Sequence, residues 1–560
     1  MKIFTNKLVE NGKFIRFLEI FPGSVSWSII FLPIYFAITN PYVVMYFIII
    51  YDSYWFFRSL NISRITLISY RKLKQAEKID WPSRKKQTEN LGDTLKSLLV
   101  YLNDIKNDLK KAAPNQIPAL GAKEKSIKLS IKEINRLKDE KIDIYNWKKV
   151  YHVVSYATFR ENAEILSRAV DALLKSDFPM SKVICVIAGE ERDPDFRKIA
   201  KDLNEKYGQG SFLKFLPLEH PNGMPNEGKV KGAGVSWAIA EVNKMLKKEG
   251  IVPEQVIVSS FDSDTQVHKN YLAALTYEFI INPKRHKKSF QSIPLFHNNI
   301  WSAPAPNRVM AVNSSFWQMI ESIRTRRLRN FAGHAMSMKA LKAVDYWDRF
   351  SIVEDGKQYW RSFFAFNGDY SVIPIFVPVY NDVVLADTYL KTLKAQYLQR
   401  RRWYYGVSDF PFVVINAIKN KKIPLWYRLL QVWRHFEGTI SLATASLILA
   451  FVAWLPLFLN PDFSNNSVVA HTLPVVTSRI LTIAGIGLLS AMWISIILLP
   501  KKPKNTPATK SISMILQWFC LPPIAICLST FPALESQTRL MFGKYIGFYV
   551  TPKTINKNNS

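Results

Sequence analysis

The sequence predicts an α/β domain with a mixed, mostly parallel sheet, flanked along the chain by transmembrane helices. Two groups of nearly unbroken apolar residues, one before residue 61 and one after residue 437, predict the helices. Between about residues 150 and 410, β-branched runs alternate with segments of helical period, which predicts the sheet. The third observation is charge. Lysine and arginine total 75 against 44 acidic residues, a net +31 in 560 residues. Such an excess points to anionic partners. The apolar runs make those partners the lipid bilayer and phosphate-bearing substrates. Zinc-finger spacing and an RNA-binding aromatic signature are both missing, so nucleic acid is not expected.

Residues 1–69 read as a transmembrane hairpin, with helices at about 24–39 ("SVSWSIIFLPIYFAIT") and 41–60. The Asn40-Pro41 pair is the turn between them. Trp27, Tyr35, Tyr54 and Trp55 suit the membrane interface. Lys2, Lys7, Lys13 and Arg16 precede the pair, and Arg58, Arg64, Arg71 and Lys72 follow it. Basic flanks on both sides place both in the cytoplasm, which makes this an integral protein of the cytoplasmic membrane with a cytosolic catalytic domain. The basic, polar start does not have the form of a cleavable signal peptide. Residues 70–149 ("LVYLNDIKNDLKKAAP", "IKLSIKEINRLKDEK") form a charged helical insertion without a catalytic motif. Cys185, Cys520 and Cys527 lie in apolar runs and read as small buried hydrophobes, too few for a disulfide framework.

Residues 150–410 carry the alternation. "VYHVVSYATF", "KVICVIAGEE", "FLKFLP" and "EQVIVSSFDSD" read as strands, with "NAEILSRAVDALLKS" and "KGAGVSWAIAEVNKMLKK" as helices. Ligands of such sheets bind at the carboxyl ends of the strands. Asp262 and Asp264 stand at such an end. Residues 411–437 hold an interfacial amphipathic helix, with Arg428 and Arg434 among Leu, Tyr and Trp. The C-terminal membrane region, 438–534, has runs at about 438–459, 477–500 and 512–534, and an amphipathic tail, 535–560, follows. Pro522-Pro523 breaks the last run, which either spans or re-enters.

Three short motifs carry chemistry. In "SSFDSD", Asp262 and Asp264 are two carboxylates one residue apart. They make either a polar turn or a site for a hard divalent ion, Mg2+ or Mn2+, shared with substrate phosphates. In "SIVEDGK", Glu354 and Asp355 offer a carboxylate to act as general base on an acceptor hydroxyl. In "QYLQRRRWYYG", Gln399, Arg402 and Trp403 fit Q-x-x-R-W. An amide binds sugar hydroxyls, a guanidinium pairs with phosphate, and an indole stacks on a sugar face.

In that order, D-x-D, E-D, Q-x-x-R-W and then membrane helices, the sequence resembles the processive family 2 glycosyltransferases: cellulose, chitin and hyaluronan synthases. The resemblance covers roughly residues 151–406 with the flanking helices. "EGKVKGAGVSWAI" matches the lysine segment before the metal strand, at Lys231, and "FQSIPLFHNNIW" matches the glutamine–proline strand after it. "NFAGHAMSMKALKAV" matches the acceptor-side glycine segment, at Gly333 and His334. "FYVTPK" matches the gating loop, with Thr551 and Lys553 at the nucleotide. The resemblance implies a GT-A fold, a nucleotide-sugar donor (most often a UDP-sugar) and inversion by direct displacement. It implies that Asp262 binds nucleotide, Asp264 metal, and that Asp355 is the base. Gln399, Arg402 and Trp403 would hold the acceptor end and the diphosphate. Export of a growing glycan through the membrane helices is also implied.

Two departures stand out. The family's aspartate pair after the second strand reads "IAGEERD" here, leaving Glu190, Glu191 or Asp193 for that place. The proline after the first strand is Ala157, with Glu161 at the uridine-binding acid. Two other readings remain: a single transfer to a lipid or lipid-linked acceptor, and a non-enzymatic membrane scaffold. Intact Asp262, Asp264, Asp355 and Trp403 weigh against the scaffold.

Overall fold

A computed structural model describes residues 12–504 and 506–552. Helices α1 (Gly12–Thr39) and α2 (Pro41–Lys78) meet at Asn40, and Pro41 opens α2. A proline at the first helical position loses no intrahelical bond, so the Asn-Pro turn is cheap. α2 does not stop near residue 60. Nothing in 61–78 breaks it, and it carries the chain into the domain, where Leu73 packs on Ile293 and Leu295.

The insertion is helical, as its period predicts: α3 (Trp81–Lys86), α4 (Leu91–Lys111) and α5 (Ile117–Asp139). Asp80 and Asn90 cap α3 and α4 with their side chains. Trp81 lies against Tyr277, and Tyr277 donates its hydroxyl hydrogen to Glu133 at 2.7 Å. The insertion is thus docked on the domain's α9 (Tyr271–Ile280).

The sheet has eight strands: β1 (Tyr151–Ala157), β2 (Val183–Glu190), β3 (Lys214–His220), β4 (Val256–Asp262), β5 (Gln266–Val267), β6 (Lys288–Leu295), β7 (His334–Ser337) and β8 (Ser371–Tyr380). Their order is β3-β2-β1-β4-β7-β6-β8-β5. β3, β2, β1 and β4 are parallel neighbours, as are β6 and β8; β7 runs antiparallel between the two blocks. This is the mixed, mostly parallel sheet that the sequence predicts. Helices α6 (Ala163–Leu174), α7 (Phe196–Tyr207) and α8 (Lys231–Lys248) connect the first block. β1 is buried on both faces: Val154 and Tyr156 pack toward α6, and Val153 toward Val235 and Ala238 of α8. Helices on both faces explain why these strands read as continuous apolar runs.

α8 begins under strong steric constraint. A Cβ at Gly232 would lie 2.2 Å from the Asp348 carbonyl oxygen. Gly232→Ala is expected to cost about 1–3 kcal/mol through forced backbone movement. An unchanged thermal midpoint in detergent would refute that close approach.

The chain continues through α10 (Ala305–Ile323), α11 (Met338–Ala343), α12 (Glu354–Ala365), α13 (Tyr389–Tyr404), α14 (Phe410–Lys419) and α15 (Leu425–Phe451). The stretch expected to lie as a separate interfacial helix and the run that follows it are one helix, α15, because no proline or capping residue divides them. Short α16 (Leu455–Leu459) and α17 (Pro461–Asn466) lead to α18 (Val468–Leu498). α19 (Ala508–Leu516), α20 (Leu521–Ala525), a π turn (Ile526–Thr530) and α21 (Phe531–Met541) form the last helical run. Among the described residues, four stretches are long and apolar enough to cross a membrane: Gly12–Thr39, Pro41–Lys78, Leu425–Leu459 and Thr509–Met541. Cys185 is buried, but Cys520 and Cys527 are exposed, contrary to the core role read for them.

The last stretch touches the domain along its length. Arg308 of α10 donates to Ser513 and Gln517, both at 2.7 Å. Ile524 and Leu528 pack on Val309 and Met310. Glu535 accepts from Tyr397 and Arg401 of α13, both at 2.7 Å. The proline pair opens α20, and helical turns continue past it to Met541.

Candidate active site

The three motifs meet at one cavity of about 860 Å3, which lies at the carboxyl ends of β1, β2 and β4 and continues between α2 and α15. Asp262 ends β4 and lines the cavity with Asp264. Lys231, the first residue of α8, donates to Asp262 Oδ1 at 2.8 Å and lies 3.3 Å from Glu354 Oε1. A lysine at a helix N-terminus opposes the helix dipole. Burial also opposes its charge, but Asp262, Asp355 and Glu354 outweigh both and hold the ammonium charged far into the alkaline range.

Glu354 and Asp355 form the first turn of α12, where the dipole favours anions. Burial first, then the Asp355 charge, push Glu354 up to about 7. Burial works against Asp355 as well, but Lys231 and His334 hold its carboxyl below the usual range. Two adjacent acids therefore differ: Asp355 stays an ionised base while Glu354 is the weaker acid.

His334 is fixed beneath Asp355. Trp347 Nε1 donates to His334 Nε2 at 3.2 Å, so the ring proton sits on Nδ1. That Nδ1 donates to the Phe331 carbonyl at 2.9 Å and lies 3.3 Å from Asp355 Oδ1. Asp355 Oδ1 is buried without a well-aligned donor. Gly333 makes the turn before β7 with φ +80° and donates to Ser260 O at 3.1 Å. Gln291 of β6 accepts from Phe331 N at 2.8 Å and donates to Ala332 O at 3.2 Å, so the buried amide reads the loop that carries His334.

Gln399, Arg402 and Trp403 of α13 face the same cavity. The C-terminal tail covers them. Gln399 Nε2 donates to Thr551 Oγ1 at 3.4 Å, and the Arg402 guanidinium sits 4.5 Å from the Phe548 ring centre. Phe548 also packs near Val230, Ile352 and Tyr405. Lys553 lies outside the described residues.

At the opposite end, Glu161 lines the cavity and accepts from Thr158 Oγ1 (2.9 Å) and Phe159 N (2.7 Å) of its own loop. Of the three acids left open after β2, Glu190 lines the cavity beside Arg192. Glu191 lies outside the lining, held by Asn222 N at 2.9 Å and Arg197. Asp193 is buried and accepts from Arg160 N at 2.6 Å, which ties down the loop after β1.

Sequence reasoning missed Asp382, which follows β8. Its backbone N–H donates to Asp264 Oδ2 at 2.9 Å, so the second acid of D-x-D bridges the two halves of the sheet. It also missed arginines of the cavity's end between α2 and α15, although "IRTRRLRNF" was a visible basic run. Among the described residues, no group of three or more His, Cys, Asp or Glu is arranged as a metal cluster. Asp262 and Asp264 nevertheless fit a hard cation. Both are oxygen donors on one cavity wall, and Mg2+ or Mn2+ takes its remaining ligands from phosphates and water.

No curated protein matches the chain. Solved structures similar to it include a mannosyltransferase from Pyrobaculum calidifontis in complex with GDP-Man and Mn2+, 13% identical, TM-score 0.37, over 78% of this chain and 99% of that one. Another is S. aureus TarS 1-349 in complex with UDP-GlcNAc, 13% identical, TM-score 0.32, over 71% and 93%. Neither likeness bears on the donor or metal of this chain. Residues 257–497 match the family model described as "Glycosyl transferase family group 2", a span that holds D-x-D, E-D and Q-x-x-R-W. Over that span the chain thus carries a domain of the family 2 glycosyltransferase type, an enzyme class.

Proposed function

We propose that the protein transfers a sugar, with inversion, from a nucleotide-sugar, in the first instance a UDP-sugar, to a hydroxyl of a glycan or lipid-linked acceptor. One observation carries this reading: a single cavity joins the Lys231–Asp262 pair, the Asp355 carboxylate and the Gln399/Arg402/Trp403 set.

The nucleotide lies between Glu161, Glu190 and Asp262 at the strand ends. Its diphosphate faces Lys231 and Arg402. Asp262 and Asp264 would hold a divalent cation, which would supply positive charge against that diphosphate. Trp403 and Gln399 orient the acceptor so that its hydroxyl faces Asp355. Asp355 takes the hydroxyl proton as the acceptor oxygen bonds to the anomeric carbon. The bond from that carbon to phosphate breaks, and nucleoside diphosphate leaves. His334 and Lys231 keep Asp355 ionised and in place. The tail, through Phe548 and Thr551, closes over the leaving group with the acceptor side already set.

The catalytic domain faces the cytosol and the apolar helices cross the cytoplasmic membrane. Contacts of 508–541 with α10 and α13 support a last run that stays on the domain's side, as a tail at the active site requires. Purified protein with a panel of UDP- and GDP-sugars, and Mg2+ or Mn2+, tests the reading. Nucleotide release that depends on one donor and on metal is expected, and product length separates polymer synthesis from single transfer. No release with any donor, in the presence of membrane lipids, would sink it.

A further inference from the structure

Beyond Asp355 the cavity runs into a basic vestibule. Its wall includes Arg58 of α2, Arg324, Arg327 and Arg329 after α10, and Arg434 of α15. Two carboxylates of the same wall pair with three of them, and a third, Asp409, lines the wall near Arg329. Glu437 is shared by Arg58 at 3.0 Å and Arg327 at 3.4 Å, and Glu321 lies 3.7 Å from Arg324. Arg329 and Arg434 pair with no carboxylate among the described residues. Arg329 instead lies 4.5 Å over Trp360 and 3.1 Å from His435 Nδ1, and Arg434 donates to Arg326 O at 3.0 Å. Five guanidinium groups share two paired acids, and the third acid near them, Asp409, is itself paired with Lys357 at 3.1 Å, so cations outnumber acids in this half-buried wall and an anion completes the set.

That anion is not the donor's diphosphate. The five arginines come from α2, from the loop after α10 and from α15. The donor end is marked instead by Lys231 and Asp262, at the start of α8 and the end of β4, with Asp264 held by Asp382 N. Planar guanidinium forks match phosphate oxygens two at a time. The vestibule also has an apolar continuation, past Trp55 and Ile62 of α2 and Leu442 and Ala445 of α15, both helices of membrane-spanning length. A charged head beside an apolar slot between two such helices fits an amphiphile. A neutral glycan has no use for this charge.

We propose that the acceptor is a lipid-borne phosphate or diphosphate, its head group held by Arg329 and Arg434 and its hydrocarbon chain lying along α2 and α15. This rests on the transferase reading above and names the acceptor class for it. The sugar-accepting hydroxyl, on a sugar carried by that phosphate, then approaches Asp355 from the end of the cavity between α2 and α15.

The test uses the full-length protein in nanodiscs. Binding of fluorescent polyprenyl monophosphate and diphosphate is compared with that of the uncharged polyprenol, inorganic phosphate and a soluble uronic-acid oligosaccharide. The phosphorylated lipids are expected to bind about tenfold or more tighter than polyprenol. That preference should shrink to about twofold in Arg329→Gln and in Arg434→Gln, with the weak polyprenol binding kept as the check that the variant is folded. Should one variant lose polyprenol binding as well, the other carries the comparison. Equal binding of alcohol and phosphate, or an undiminished preference in a folded variant, overturns the proposal. So does inorganic phosphate competing as tightly as the lipid, or elongation of the uronic-acid oligosaccharide with the lipid ignored. Nucleotide-sugar turnover by the unsubstituted protein is read separately. Its failure alongside intact phosphate-selective lipid binding removes the transferase reading and leaves this site supported.

Discussion

Asp355→Asn removes sugar transfer, by about 10²–10⁴-fold, while nucleotide affinity stays within about twofold of the parent. The amide keeps the shape of the carboxylate and cannot take the acceptor's proton. Its position explains the separation of effects. Asp355 sits in the first turn of α12, on the acceptor side, above His334 at 3.3 Å. The nucleotide's proposed contacts come from the ends of β1, β2 and β4. Loss of the Asp355 charge leaves Lys231 with Asp262 and Glu354, so the lysine keeps two of its three acidic neighbours. Stopped-flow nucleotide binding beside steady-state transfer measures both quantities. Transfer retained near the parental rate would remove Asp355 as the base and turn attention to Glu354, the neighbour whose affinity for a proton is raised.

Asp264→Ala loses the metal-dependent part of nucleotide affinity, expected as a drop of about tenfold or more when Mn2+ is present and little change when it is absent. Two things are removed together in this variant. One is a carboxylate on the cavity wall. The other is the acceptor for Asp382 N at 2.9 Å, which joins β4's end to β8's end. Asp264→Asn separates them, because an amide oxygen can still accept from Asp382 N but brings no charge to a cation. Equal losses in the two variants place the effect on charge. A loss in Ala alone places it on the bridge. Isothermal titration of nucleoside diphosphate, with Mn2+ and with chelator, distinguishes the cases. Affinity independent of metal in the parent would end the metal assignment.

Much of the domain was legible because its first half is built from strands buried on both faces. β1, β2 and β4 show as apolar runs, and α6 and α8 show by period. The second half was harder to read. β7 has four residues and β5 two, too short for any pattern. β8 contains Pro374 and Pro378, which a strand tolerates only where its ladder is incomplete. The structure provides that condition: two-residue β5 covers only the end of β8, and the β6–β8 register shifts between Ser292 and Ile293. At the site, Asp262, Asp264, Asp355, Gln399, Arg402 and Trp403 were legible as short motifs, since strand ends and helix turns keep neighbours in sequence close in space. The vestibule was not. Arg58, Arg329 and Arg434 stand hundreds of residues apart, and each looks like an ordinary membrane-flanking charge until folding brings them to one wall.

The pairing of the first helix with the last has its own consequence. Ser26 of α1 donates to Gln537 at 2.6 Å, and Trp27 donates to Thr538 at 3.0 Å. Arg16 binds the carbonyls of Leu540 and Met541. Ten residues on, Thr551 reaches Gln399. A ribosome delivers α1 first and α21 more than 500 residues later. Throughout that interval the earliest helix lacks its partner and the cavity lacks its cover. The cavity therefore gains its cover only after α21 and residue 551 have been made, and a nascent chain that stops short of them has no closed site.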